Sequence, residues 1–313
     1  MYFLISFQQI CIMFILMGIG FTCQRLKVLH EQTIKELTTI LINVVSPCLI
    51  FNSFHQKMTT NLLQTFWWTI LATVISFSVS VFLGKLLFSL PTFKENDQQG
   101  IYKFAVTYTN SGFMGIPLIQ ALIGKQGTFF SVPFLVVNNI FLWTHGVSLF
   151  QKRKRFMLGE TLRTILLNPN IIATIIGLLF FISGLNQALP VMVMKPIEYV
   201  ATLNTPLSMI VIGANLATIK GKFYDDLEVW GLVFLRNLIF PLILVATLAF
   251  LPLSSTAFTA ITVMISAPVA GLIVMLSLIN NQPVDFASKV LCLSTVCSMI
   301  SLPLMIMLAN LIH

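Results

Sequence analysis

Long apolar stretches alternate with short polar ones almost from end to end of the chain. Apolar runs lie near 4–23, 37–54, 63–89, 101–124, 128–150, 169–186, 196–218, 229–251, 256–279 and 288–311. A helix needs about 20 apolar residues to cross a bilayer, so the pattern predicts roughly ten spans. The runs at 63–89 and 101–124 exceed a perpendicular crossing and must tilt or break. The polar stretches between runs are too short to fold as a soluble domain. The N-terminal run has no basic residue ahead of it, and Arg25 and Lys27 follow it. It reads as a retained first span, not a cleaved leader.

Two of the runs carry residues that suit a bilayer helix poorly. "NSGFMGIP" at 110–117 sets Asn110, Ser111, Gly112, Gly115 and Pro117 in the fourth run. "SAPVAG" at 266–271 sets Ser266, Pro268 and Gly271 in the ninth. Glycine loosens the backbone, and proline removes a donor. Non-helical backbone at membrane depth survives only inside protein or along a polar cavity. Both runs are therefore expected to be broken helices.

The breaks occupy corresponding places in two halves. "NVVSPCLIF" around Pro47 in the second run matches "LNTPLSMIV" around Pro206 in the seventh, at nearly the same spacing along the chain. Trp67 and Trp230, at the starts of the third and eighth runs, keep it too. Five spans precede the basic run "QKRKR" (151–155) and five follow it. An odd number per half requires the halves to be inverted across the membrane. The expected organisation is 1–150 as the first repeat, 151–167 as a basic connector and 168–313 as the second. Matched interruptions in two halves mark the substrate site of a secondary transporter.

Composition agrees with this reading: 57% of residues are hydrophobic and only 9% charged, against about 25% charged in soluble domains. The net charge of +8 reflects loops, not an affinity for nucleic acid. Basic residues crowd the odd-numbered loops, whereas the even-numbered ones hold only Lys57, Lys125 and Lys195. The positive-inside rule then places the odd loops in the cytoplasm and both termini outside a cell (inner or plasma) membrane. Cys11, Cys23, Cys48, Cys292 and Cys297 show no CxxC spacing, and His30, His55, His145 and His313 are scattered. No metal or cofactor is expected. The chain carries no GxxxxGK[ST], HExxH or GxSxG pattern, which argues against an ATP-driven pump or an enzyme.

The sequence resembles the auxin efflux carrier family, which includes plant auxin carriers and bacterial malate or malonate permeases. "NSGFMGIPL" (110–118) and "TPLSMIVIGANLA" (205–217) carry most of the likeness. "NPNIIATIIGL" (168–178), "RNLIFPL" (236–242) and "SAPVAG" add to it in the right order. The resemblance implies an all-α membrane protein of ten helices in two inverted five-helix repeats, with helices 4 and 9 broken and crossing, as in bile-acid symporter-like folds. It also implies a scaffold of spans 3–5 and 8–10 and a mobile bundle of spans 1, 2, 6 and 7. The plant carriers' long hydrophilic central loop is missing, so auxin is a poor substrate guess.

The charges suggest the cargo. All acidic residues fall in loops or near helix ends, so no deep carboxylate is available to carry a cation. Arg236 lies about two turns into the eighth span, where it either faces the pathway or snorkels to the interface. Broken helices offer unpaired N–H groups and the positive ends of their dipoles, which suit an anion. The expected substrate is a small organic anion, a mono- or dicarboxylate, held by Asn110, Ser111 and Ser266 and moved by alternating access. Asn43 and Pro47 in span 2, and Thr205, Pro206 and Asn215 in span 7, are further pathway candidates. The alternative reading is a sodium- or proton-coupled symporter or antiporter of related architecture with another substrate; for the anion carrier, coupling to H+ or Na+ and a homodimer stay open.

Overall fold

The computed structural model describes residues 2–89, 98–150, 158–218 and 225–312. The QKRKR run, Lys94, Lys220, Lys222 and His313 lie outside the described residues. Among the described residues every regular element is a helix. In chain order these are α1 (Tyr2–Arg25), α2 (Glu31–Ser53), α3 (Thr60–Leu87), α4 (Gln99–Thr107), α5 (Ser111–Leu122), α6 (Lys125–Gly146), α7 (Leu158–Leu166), α8 (Pro169–Ser183), α9 (Val191–Thr218), α10 (Leu227–Leu248), α11 (Ser255–Ser266), α12 (Leu272–Ile279) and α13 (Val284–Ile312). Seven of them, α1, α2, α3, α6, α9, α10 and α13, are long and apolar enough to cross a membrane. The shorter apolar helices are α5, α8 and α11.

Local chemistry sets the boundaries. Thr59, Asn168, Asp226 and Ser254 each accept a hydrogen bond from a backbone N–H in the first turn of α3, α8, α10 and α11. Pro169 opens α8 at the one place where its missing N–H costs nothing. The sixth apolar run extends to 186, but α8 stops at Ser183. Gly184 is left-handed there (φ 74°), and a short 3₁₀ turn follows over Leu185–Gln187. The 28 residues of α3 run unbroken, about 42 Å of helix, so of the two outcomes expected for this run, a break does not occur.

Among the described residues, four five-residue stretches widen to π geometry: Leu41–Val45, Ser111–Gly115, Leu142–Gly146 and Leu235–Ile239. Three of them sit just before a proline, at Pro47, Pro117 and Pro241. The proline has no N–H for the carbonyl four residues back, and its ring crowds that carbonyl. The turn before it opens, and the helix continues.

The packing joins helices distant in sequence. α1 lies along the second half of α9 so closely that Cβ atoms on Gly20 and Gly213 would sit 2.0 Å and 1.8 Å from the carbonyl oxygens of Ile210 and Met17. α2 meets α9 through Ile34, Leu41 and Val45 against Val211 and Ala214, with Phe113 of α5 at the edge. Phe54, Phe66, Phe129 and Phe181 interlock the ends of α2, α3, α6 and α8. α11 packs on α6 and α13, and α3 packs on α4 and α6. This leaves α4, most of α5 and α11 surrounded by other helices, while α12 buries only Ile273, Leu276 and Ser277 and exposes its other face.

Candidate functional site: the crossing of two interrupted helices

α4 ends at Thr107 and α5 begins at Ser111; α11 ends at Ser266 and α12 begins at Leu272. The two gaps meet. The Asn110 N–H donates to the Pro268 carbonyl (2.7 Å), and the Ala270 N–H donates to the Tyr108 carbonyl (3.0 Å). Thr109 and Val269 face each other between these bonds as one antiparallel bridge. Each chain thus supplies the partners that the other's missing helical turn leaves unpaired.

The first gap is not where the motif suggests. Residues 111–117 are helical, so Gly112, Gly115 and Pro117 lie in α5, and the unwound residues are Tyr108–Asn110 just ahead of them. Proline 117 is absorbed by the π turn. Gly115 serves close packing instead: a Cβ there would come within 2.8 Å of the Met264 Sδ in α11. The second gap does fall at the motif, with Ala267–Gly271 non-helical.

Arg236 is buried, with 1% of its surface exposed, and does not snorkel. Its Nη2 donates to the carbonyls of Ile265 (2.8 Å) and Ala267 (2.5 Å), and Nη1 reaches the Val106 carbonyl at 3.4 Å. The positive group therefore lies against the C-terminal ends of both α4 and α11, where their dipoles are negative. Its neighbour Asn237 secures the other side of the gap. Asn237 donates to the Ser294 carbonyl, the Ser294 hydroxyl donates to Asn237 Oδ1, and the same hydroxyl accepts the Val269 N–H at 3.0 Å. The Tyr108 hydroxyl contacts the Phe141 carbonyl and His145 Nδ1, both at 2.9 Å, tying the first gap to α6.

Not every polar atom at the crossing is matched. The hydroxyls of Thr109, Ser111, Thr262 and Ser266 are buried and have no partner among the described residues, nor has Arg236 Nε. A small cavity beside Arg236 is lined by Ser76, Ser80, Thr107 and Thr109, with walls of Phe77, Phe134, Leu244 and Ile265. It has room for about one water molecule. The Asn110 side chain is half-buried and does not cap α5. At the start of α5 the N–H groups of Ser111, Gly112 and Phe113 have no intrahelical acceptor.

The fold thus gathers Asn110, Ser111, Ser266, Pro268, Gly271 and Arg236 around one point. Asn43, Pro47, Thr205, Pro206 and Asn215 belong instead to α2 and α9, and no hydrogen bond links their side chains to the crossing among the described residues. Asn43 is exposed and donates to the Thr39 carbonyl of its own helix. Asn215 is exposed as well. Tyr108, Thr109, Asn237, Val269 and Ser294 act at the crossing without standing out in the sequence. The one available signal for Asn237 was its place next to Arg236 in "RNLIFPL", within a turn of Pro241.

A family model described as "Membrane transport protein" matches the chain over residues 5–155 and 153–306. An uncharacterized transporter of Methanothermobacter thermautotrophicus is 25% identical over 311 residues, 97% of this chain and 98% of its own length. An uncharacterized transporter of Methanocaldococcus jannaschii is 25% identical over 238 residues, 74% of each chain. Protein PIN-LIKES 1 of Arabidopsis thaliana is 23% identical over 164 residues, 48% of this chain and 34% of that one.

Proposed function

The chain belongs to the membrane transport protein family, that of the auxin efflux carriers, and on that premise we propose that it is a secondary active carrier of small organic anions. The observation that carries the reading is the crossing itself. Two interrupted helices meet inside the helical packing, with unpaired hydroxyls of Thr109, Ser111 and Ser266 and free N–H groups at the start of α5. Buried polar atoms without partners are costly unless water or a ligand supplies them. Donor hydroxyls and helix N-termini favour a carboxylate.

In this reading the ten apolar runs are ten spans in two inverted repeats. α4–α5 and α11–α12 are the broken fourth and ninth spans, and α1, α2, α8 and α9 move against the rest. Asn110 presents its amide to the bound carboxylate, with Ser111 and Ser266 donating from the two sides. Pro268 and Gly271 hold the second gap open. Thr205, Pro206, Asn215, Asn43 and Pro47 line the route on the moving side. Both termini face outward, and a proton gradient supplies the drive.

Purified protein in liposomes, offered labelled mono- and dicarboxylates under an imposed proton gradient, tests this. Uptake of at least one is expected, and Asn110→Ala should reduce it about tenfold, the effect of losing one hydrogen bond of about 1.4 kcal/mol. Unaltered uptake in Asn110→Ala would remove the crossing from the substrate route. Uptake that follows sodium and ignores the carboxylate would replace the anion reading.

A further inference from the structure

The C-terminal ends of α4 and α11 converge and aim the carbonyls of Val106, Ile265 and Ala267 at one place. Carbonyls at the ends of interrupted helices, with the negative poles of two dipoles behind them, make a cation site. Here a side chain already stands in it. Arg236 supplies donors to all three oxygens, and among the described residues no carboxylate pairs with it. We propose that the Arg236 guanidinium is a tethered cation filling a carbonyl site that would otherwise take a metal ion, so the crossing is complete without bound sodium.

The local structure supports a dedicated placement. Arg236 and Asn237 are both buried within the π turn at Leu235–Ile239. One closes on the carbonyls ahead of the second gap, and the other, through Ser294, on the N–H of Val269 within it. A guanidinium suits the task because its fixed fork of donors meets several acceptors at once and its charge persists when buried. A positive group that never leaves has a functional consequence. The carbonyl ends of the half-helices stay neutralised in empty and loaded protein alike, and the exchanging ion is left to the N-terminal ends. This consequence rests on the carrier reading; occupancy of the carbonyl site does not.

Thermal unfolding of the purified protein in detergent decides the matter. The wild-type midpoint should be the same in sodium chloride and in choline chloride of equal ionic strength. Arg236→Lys should fall between wild type and Arg236→Ser, because an ammonium keeps the charge but not the fork of donors. Arg236→Ser should unfold at a lower temperature, and millimolar sodium or guanidinium, but not choline, should raise its midpoint. Selective sodium stabilisation of the wild type, or no cation-selective rescue of Arg236→Ser, would overturn the proposal. Should Arg236→Ser fail to accumulate in membranes, Arg236→Met against Arg236→Lys decides. Methionine as stable as lysine means that charge is irrelevant there, and a large gap in favour of lysine supports the tethered cation. Failure of all carboxylate uptake would end the organic-anion reading and leave these midpoints to stand alone.

Discussion

At the scale of single residues, the most constrained positions are two glycines far apart in sequence. Gly20 of α1 lies under the Ile210 carbonyl and Gly213 of α9 under the Met17 carbonyl, each with no space for a methyl group. Small residues let helix backbones approach this closely in membranes, where van der Waals contact replaces the hydrophobic drive. The sequence shows Gly213 beside Ala217 as a small-residue pair, but not which helix it faces, because that contact spans most of the chain. Gly213→Ala should destabilise the protein by about 1–3 kcal/mol, since backbone rather than a flexible side chain must move. Gly231, in α10, has open space around its Cβ position. Gly231→Ala should be neutral or stabilise by up to about 1 kcal/mol through helix propensity. Equilibrium unfolding of both variants in mixed micelles checks the contrast. Equal effects would mean that the α1–α9 approach is looser than described.

At the scale of elements, the two gaps show what local chemistry can reveal and what it cannot. "SAPVAG" marks its gap correctly, because Pro268 sits inside the unwound stretch. "NSGFMGIP" points to the right helix and the wrong residues. A proline can be accommodated by widening one turn, as Pro117, Pro47 and Pro241 all show. The gap at Tyr108–Asn110 is fixed instead by bonds to Pro268 and Ala270, partners that no local propensity contains. The arrangement makes a geometric prediction. Thr109 and Val269 form a pair flanked by, not joined by, the two backbone bonds, so their Cα atoms should lie about 4.5 Å apart. That is within reach of a disulfide. In a background with the five native cysteines replaced, Thr109→Cys with Val269→Cys should cross-link on mild oxidation, read by mass spectrometry after digestion. Thr109→Cys with Val263→Cys, six residues earlier and inside α11, should not. Equal cross-linking of both pairs would mean that the gaps do not meet in register.

At the scale of the whole molecule, hydropathy was the most readable property, because lipid demands long apolar runs whatever their partners. The site was readable only as composition. Asn110, Ser111 and Ser266 stand out as polar residues among apolar ones, whereas Tyr108 and Ser294 look ordinary until the helices are assembled. Assembly also bears on the proposed division into a moving and a fixed group. The crossing ties α4, α10, α11 and α13 together through Arg236, Asn237 and Ser294, and the two gaps through the N–H groups of Asn110 and Ala270, a web of buried hydrogen bonds that would be expensive to break at every cycle. α2 and α9 meet α5 through an apolar cluster at Phe113, and such contacts slide more cheaply. If alternating access moves the α1–α2–α8–α9 group past an intact crossing, then locking the crossing costs nothing in function. The oxidised Thr109→Cys, Val269→Cys protein should therefore take up carboxylate in liposomes at a rate close to that of its reduced form. Reduction with a thiol provides the internal control for protein quality. A rate that collapses on oxidation and returns on reduction would show that the two gaps part during transport, and the moving boundary would then have to be redrawn through the crossing.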